Sequence, residues 1–317
     1  MDASIEIGRI REAAEVIDPV FLNTPQYLCE PLSERLGVAT VLKVESVNPI
    51  RSFKGRGAEY LLHRLGPQPA GLVCASAGNF GQGMAYAARS RGASLTVFAA
   101  ITANPLKVDR MRALGAKVVL DGHDFDEAKA GAMRHAKDVG AFYVEDGLLG
   151  SIAEGAGTIA LELLRMTKPL GAVFVPLGNG SLINGMGLWL KRASPATRVV
   201  AVCPAGAPAM EISWRAGKAI STDSTDTIAD GISVRVPVPE ALEIMRKAVD
   251  EVMLVSDAEV IEAMRLLHRD AGLVVEPAGA AGIAAVAQRR QEFGGKRVAV
   301  PLTGGNVTEE QQRLWLY

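Results

Sequence analysis

The chain has 317 residues, 49% of them hydrophobic and 22% charged, with a formal net charge of −1. That balance, with only 5% aromatics, leaves no electrostatic footprint for nucleic acid, and no apolar run reaches the ~20 residues that cross a bilayer. Cys29, Cys74 and Cys203 are odd in number and far apart, which fits neither a disulfide framework nor a zinc site and predicts a reducing cytoplasm. The length predicts two domains.

In chain order, a charged, helix-patterned start (MDASIEIGRIREAAEVI), unlike a secretory signal, leads to the strand-like run 40–46, TVLKVES. Next comes NPIRSFKGRGAEY, which sets Lys54 between Phe53 and Gly55 with Arg51 and Arg56 close by. A free lysine, with its pKa of about 10.4, is a poor nucleophile. Nearby cations and a partly apolar pocket both lower that value, so Lys54 is a candidate nucleophile. Further strands are expected over 71–78, 95–100, 116–122, 141–146, 171–178, 198–204 and 297–305. Helical stretches such as 81–92 and 258–272 lie between them. Near-continuous apolar strands separated by helices predict an α/β fold of open, twisted, mostly parallel sheets flanked by helices. The polar stretch 219–240 reads as a loop packed near a site, not as a linker.

Three turns follow strands and open onto helices or end the last strand. In PLGNGSL, Gly178, Asn179, Gly180 and Ser181 precede an amphipathic helix, and free N–H groups at a helix start make a phosphate cradle. It is neither a Walker motif nor a full dinucleotide fingerprint. In SAGNFGQG, the turn Ser76–Ala77–Gly78 suits a carboxylate, and Asn79 can donate to an oxygen. In PLTGGNVT, Thr303 stands directly after the last strand. Two anion cradles, a candidate nucleophilic lysine and a terminal hydroxyl together suit a phosphorylated aldehyde that forms a Schiff base, pyridoxal 5'-phosphate.

The ordered set TPQYLCEPLSERLGVATVLKVESVNP, SFKGRGA, SAGNFGQG, PLGNGSL, TIADGISV, VEPAGAAG and LTGGN spans nearly the whole chain. It resembles the tryptophan-synthase-like (fold type II) pyridoxal-phosphate enzymes, and among them the serine/threonine dehydratases. By that resemblance the larger domain comprises 1–41 and 147–317 and binds the cofactor. A smaller mobile domain, 42–146, carries the Schiff-base lysine and the carboxylate loop, and the cofactor lies in the cleft between the two. Lys54 would hold the cofactor, with Phe53 beside it, and would act as the catalytic base. Asn79 would meet the phenolic oxygen, while Gly178, Asn179, Gly180, Ser181 and Leu182 would hold the phosphate. Thr303 would contact the pyridine nitrogen, with Gly304 beside it and Glu276 near the ring. Glu276 stands before Pro277 and equally suits a helix start. Ser76, Ala77, Gly78 and Phe80 would face the substrate, and Ser52 would serve there while capping the helix that presents Lys54.

A hydroxyl at Thr303 cannot keep the pyridine nitrogen protonated as a carboxylate would, which favours expelling a β-substituent. The implied reaction is β-elimination from a small hydroxy-amino acid to a keto acid and ammonia. Some positions depart from the dehydratase pattern. Phe80 replaces a His and Ala156 a Gln, both expected to alter the pocket, and Phe80, Asn179 and Thr303 lean towards threonine synthases. A β- or γ-replacement enzyme is therefore the alternative. A racemase is disfavoured because Ala77 stands where racemases place a proton-donating serine, and a non-catalytic binding protein because the lysine set is intact. Cys203 stands where some relatives bind a divalent cation through Glu, so no metal site is expected. The short stretch after Thr303 predicts no regulatory domain, and the resemblance implies a homodimer.

Overall fold

The computed structural model describes residues 3–166 and 168–317. Its strands are β1 (Gln26–Leu28), β2 (Ala39–Val44), β3 (Leu72–Ala75), β4 (Leu95–Ala99), β5 (Lys117–Leu120), β6 (Phe142–Val144), β7 (Ala172–Pro176), β8 (Arg198–Pro204), β9 (Glu251–Val255) and β10 (Arg297–Leu302). They form a six-stranded sheet of order β1-β2-β10-β7-β8-β9 and a four-stranded sheet of order β5-β4-β3-β6. Every pairing is parallel except the short edge pair β1–β2. The fold is thus α/β with two mostly parallel sheets flanked by helices.

All eight strands expected from apolar runs are present. Two others, β1 and β9, carry too little signal on their own. β1 is three residues long, and β9 (EVMLV) is an edge strand whose apolar residues run on into the pattern of the next helix.

Why the central strands read as continuous apolar runs is visible in their packing. On β7, Ala172 and Phe174 face a core built with helices Asp257–Ala271 and Pro277–Gln288. Val173 and Val175 face the opposite core, built with helices Gly150–Leu163 and Ser181–Ala193. A strand buried on both faces has no polar alternate position. Cys74 and Cys203 are buried in these strands, as their apolar neighbours predict.

Three helices that carry the site approach one another backbone to backbone. A Cβ on Gly57 of helix Lys54–Leu65 would lie 2.7 Å from the Ile152 carbonyl oxygen, and one on Gly155 would lie 2.5 Å from that of Arg56. At Gly185 the distance to the Ala153 oxygen would be 1.9 Å. Glycine is the one residue that fits there, so its place in these helices is set by packing.

The strand β2 pairs with β10 along its whole length. The expected start of the smaller unit at residue 42 therefore falls inside a strand of the larger sheet.

Candidate active site

Each sheet delivers its loops at the carboxyl ends of its strands, where open α/β sheets bind ligands. Those ends surround one cavity of about 670 Å³. After β3, the turn Ser76–Gly78 leads into helix Asn79–Ser90. The Ser76 hydroxyl accepts the backbone N–H groups of Gly78 at 3.2 Å and Gly81 at 2.9 Å, which fixes the turn. After β7, the chain passes through Gly178 and Asn179 to Gly180, whose φ of +99° a side chain would strain, and helix Ser181–Ala193 begins. The N–H groups of that first turn have no partner inside the helix.

Lys54 opens helix Lys54–Leu65, and Phe53, not Ser52, occupies the cap position. Its ammonium lies 4.9 Å from the Phe53 ring centre and 5.7 Å from that of Phe80, within cation–π range. It pairs with the Asp146 carboxylate in the turn after β6.

From its place in the sequence Arg56 is expected to perturb Lys54, and the structure corrects this. Arg56 is fully buried, bonding both Glu45 and Glu162. Burial alone would raise the Glu162 carboxyl, yet Arg56 and Lys43 hold it down to about 2. Lys43 is buried in the same cluster. This network ties helix Lys54–Leu65 to β2 and to helix Gly150–Leu163. Arg51 is exposed, with φ of +51°.

Opposite the lysine, Glu276 is buried, and burial pushes its carboxyl up to about 7 against the pull of the Lys107 ammonium. One oxygen accepts the Asn79 side-chain amide at 2.6 Å, while the other has no partner among the described residues. The Asn79 oxygen in turn accepts from Asn306 at 2.8 Å. Thr303 is buried at the end of β10, and its carbonyl accepts the Phe53 N–H at 3.1 Å.

The cavity brings together Phe53, Lys54, Ser76, Ala77, Gly78, Asn79, Phe80, Gly178, Asn179, Gly180, Ser181, Leu182, Glu276 and Thr303. Ser52 and Gly304 stand apart from its wall. Ser52 is fully buried, bridged to Gly304, and its hydroxyl accepts the Lys54 N–H at a long 3.4 Å. Gly304 supports Glu276, whose N–H its carbonyl accepts at 3.0 Å. Ala156, expected to reshape the pocket, lies in the core and not on the cavity wall. The polar stretch after residue 219 does line the cavity, through Asp223, Thr227, Asp230 and Arg235.

Asp146, Lys107, Asp230 and Asn306 join the site without having been expected there. Asp146 follows a strand, Asp230 lies in TIADGISV and Asn306 in PLTGGNVT, whereas Lys107, inside helix Pro105–Ala113, carries no signal in the sequence. Lys107 and Asp230 pair across the cavity.

Residues 17–304 match the family described as "Pyridoxal-phosphate dependent enzyme". The chain belongs to that family. Among curated relatives, the L-threonine ammonia-lyase of Thermotoga maritima is 36% identical over 305 residues, covering 96% of this chain and 76% of that one. Plant and yeast threonine dehydratases also match, and the chain spans about half of their length. Among solved structures, maize serine racemase superposes with a TM-score of 0.91 at 28% identity, covering 98% of this chain and 96% of that one. The processed form of threonine deaminase isoform 2 from Solanum lycopersicum gives 0.89 at 29%, covering 99% and 94%. Within the family, the chain is serine/threonine dehydratase-like and shares the fold of these type II enzymes.

The residues present fit pyridoxal 5'-phosphate. The glycine turn before Ser181 leaves N–H groups free for a phosphate, and a Cβ on Gly178 would already meet the Gly231 carbonyl oxygen at 3.3 Å. A primary amine, an unpartnered carboxyl oxygen on Glu276 and the Thr303 hydroxyl line the same space.

Proposed function

We propose that this chain is an ammonia-lyase that eliminates the β-hydroxyl from a small hydroxy-amino acid, giving a keto acid and ammonia. The observation that carries the reading is the meeting of Lys54 with both N–H-rich turns and Thr303 at one cavity. The names of the relatives, threonine ammonia-lyases and dehydratases over most of the chain, support the same reaction.

When bound, the cofactor supplies an aldehyde that captures amines and a ring that draws electrons from Cα. Lys54 Nζ would hold the cofactor and, as a free amine, would remove the Cα proton. Gly178 through Leu182 would hold the phosphate, and the Ser76–Gly78 turn would hold the substrate carboxylate. Asn79, fixed between Glu276 and Asn306, presents its amide to the cofactor's oxygen. Thr303 offers a hydroxyl to the ring nitrogen and no charge, which disfavours transamination. Ala77 offers no proton to the opposite face of Cα, which disfavours racemisation.

The four-stranded sheet and its helices form the mobile unit in this reading, and its closure excludes water. We place its start after β2. A cytoplasmic homodimer belongs to the same proposal.

The test is keto-acid release by the cofactor-loaded protein from L-serine, L-threonine, 3-hydroxyaspartate, phenylserine and phosphohomoserine. Release from one β-hydroxy substrate, lost in Lys54→Ala, is expected. Threonine formed from phosphohomoserine, with no keto acid from the rest, would replace this reading with a synthase.

A further inference from the structure

Among the cavity-wall carboxylates with no task in that scheme, Asp146 is the one paired with Lys54. It lies in the turn after β6 and divides its two oxygens. One pairs with the Lys54 ammonium, and the other accepts the Ser181 hydroxyl at 2.6 Å. A single acid therefore bridges the amine and the first residue of the helix that forms the phosphate cradle.

The position is tightly built. The next residue, Gly147, has φ of +94°, and a Cβ there would lie 2.7 Å from the Asn179 carbonyl oxygen. The backbone after Asp146 is thus pressed against the cradle, with the side chain 13% exposed on the cavity wall. The Lys54 ammonium must shed a proton before the amine can attack, and the Asp146 oxygen paired with it is the acceptor already in place.

We propose that Asp146 is the acid that protonates the departing β-hydroxyl, an inference that rests on the elimination reading above. Lys54 Nζ takes the Cα proton, and the C–H electron pair ends as the second bond between Cα and Cβ. The Cβ–O bond breaks with its pair on oxygen, which takes the Asp146 proton and leaves as water. Lys54 then returns the Cα proton to Asp146 across their ion pair. Protons and electrons balance, and no co-reactant is needed.

The experiment compares full-length, cofactor-loaded wild type with Asp146→Asn and Asp146→Ser. It reads the bound-cofactor absorbance, keto-acid release from the preferred β-hydroxy substrate and from β-chloroalanine, and Cα hydrogen exchange in D2O. Chloride leaves without a proton, so it bypasses the acid. With cofactor still bound, the variants are expected to lose at least about 100-fold more turnover on the hydroxy substrate than on β-chloroalanine. Equal loss on both substrates, undiminished hydroxy-substrate turnover, or failure of both variants to hold cofactor would each overturn the acid role. Wild type that processes β-chloroalanine but no hydroxy-amino acid would sink the elimination reading, and this inference with it. A fully active Asp146→Asn would sink this inference alone.

Discussion

Glu276 stores a pH dependence in the cofactor-free protein. Its carboxyl moves from an ordinary 4.5 up to about 7 through burial. Between those values the folded chain keeps a proton that the unfolded chain gives up. The stability it contributes is therefore fully present below about 4.5 and is lost as pH rises through about 7, by roughly 3 kcal/mol in all. Glu276→Gln keeps an oxygen to accept from Asn79 and removes the titration. Urea denaturation across that window should show wild type weakening with pH more steeply than the variant. Parallel profiles would place the proton elsewhere. In the sequence Glu276, before Pro277, suits a helix-start acid and a site residue equally. It serves as both, being the cap residue of helix Pro277–Gln288 and part of the cavity wall. The burial of Lys43 is not legible in its strand neighbours, because its partner Glu162 lies 119 residues away.

At the scale of elements, the site depends on how closely helices Lys54–Leu65, Gly150–Leu163 and Ser181–Ala193 approach. Gly185→Ala puts a methyl where the Ala153 carbonyl oxygen already stands, 1.9 Å from the ideal Cβ. Overpacking of this kind costs about 1–3 kcal/mol. Because the two displaced helices lead from Asp146 and from the proposed phosphate cradle, the variant should also bind pyridoxal phosphate at least several-fold more weakly. Denaturant midpoints and cofactor titration check the two effects, and an unchanged midpoint would show that the helices can part without cost. The strands were legible for the converse reason. Parallel strands covered on both faces must be apolar throughout, and their Gly-rich ends announce the turns. β9 escaped because its apolar residues run on into the pattern of the next helix.

Across the whole molecule, two ion pairs of cavity-lining residues, Lys107 with Asp230 and Arg235 with Asp126, are among the contacts that join the side of the four-stranded sheet to that of the six-stranded one. In the proposed closure they would favour the closed arrangement. Arg235→Ala and Asp126→Ala should each raise KM more than they lower kcat, by less than about tenfold, because the pair is partly exposed. The double variant should be no worse than the worse single one, and additive losses in that cycle would show that the pair does not act as a unit. By itself the sequence determined the α/β class, the order of strands and glycine turns, and the candidate lysine, since all of these are local patterns of period, size and backbone freedom. Tertiary structure alone decided that Asp146 meets Lys54, that Glu276 holds Asn79, that Arg56 serves the core, and that Ser52 and Ala156 stand off the cavity. Those are contacts and burial between segments far apart in the chain, and a one-dimensional pattern carries no term for them.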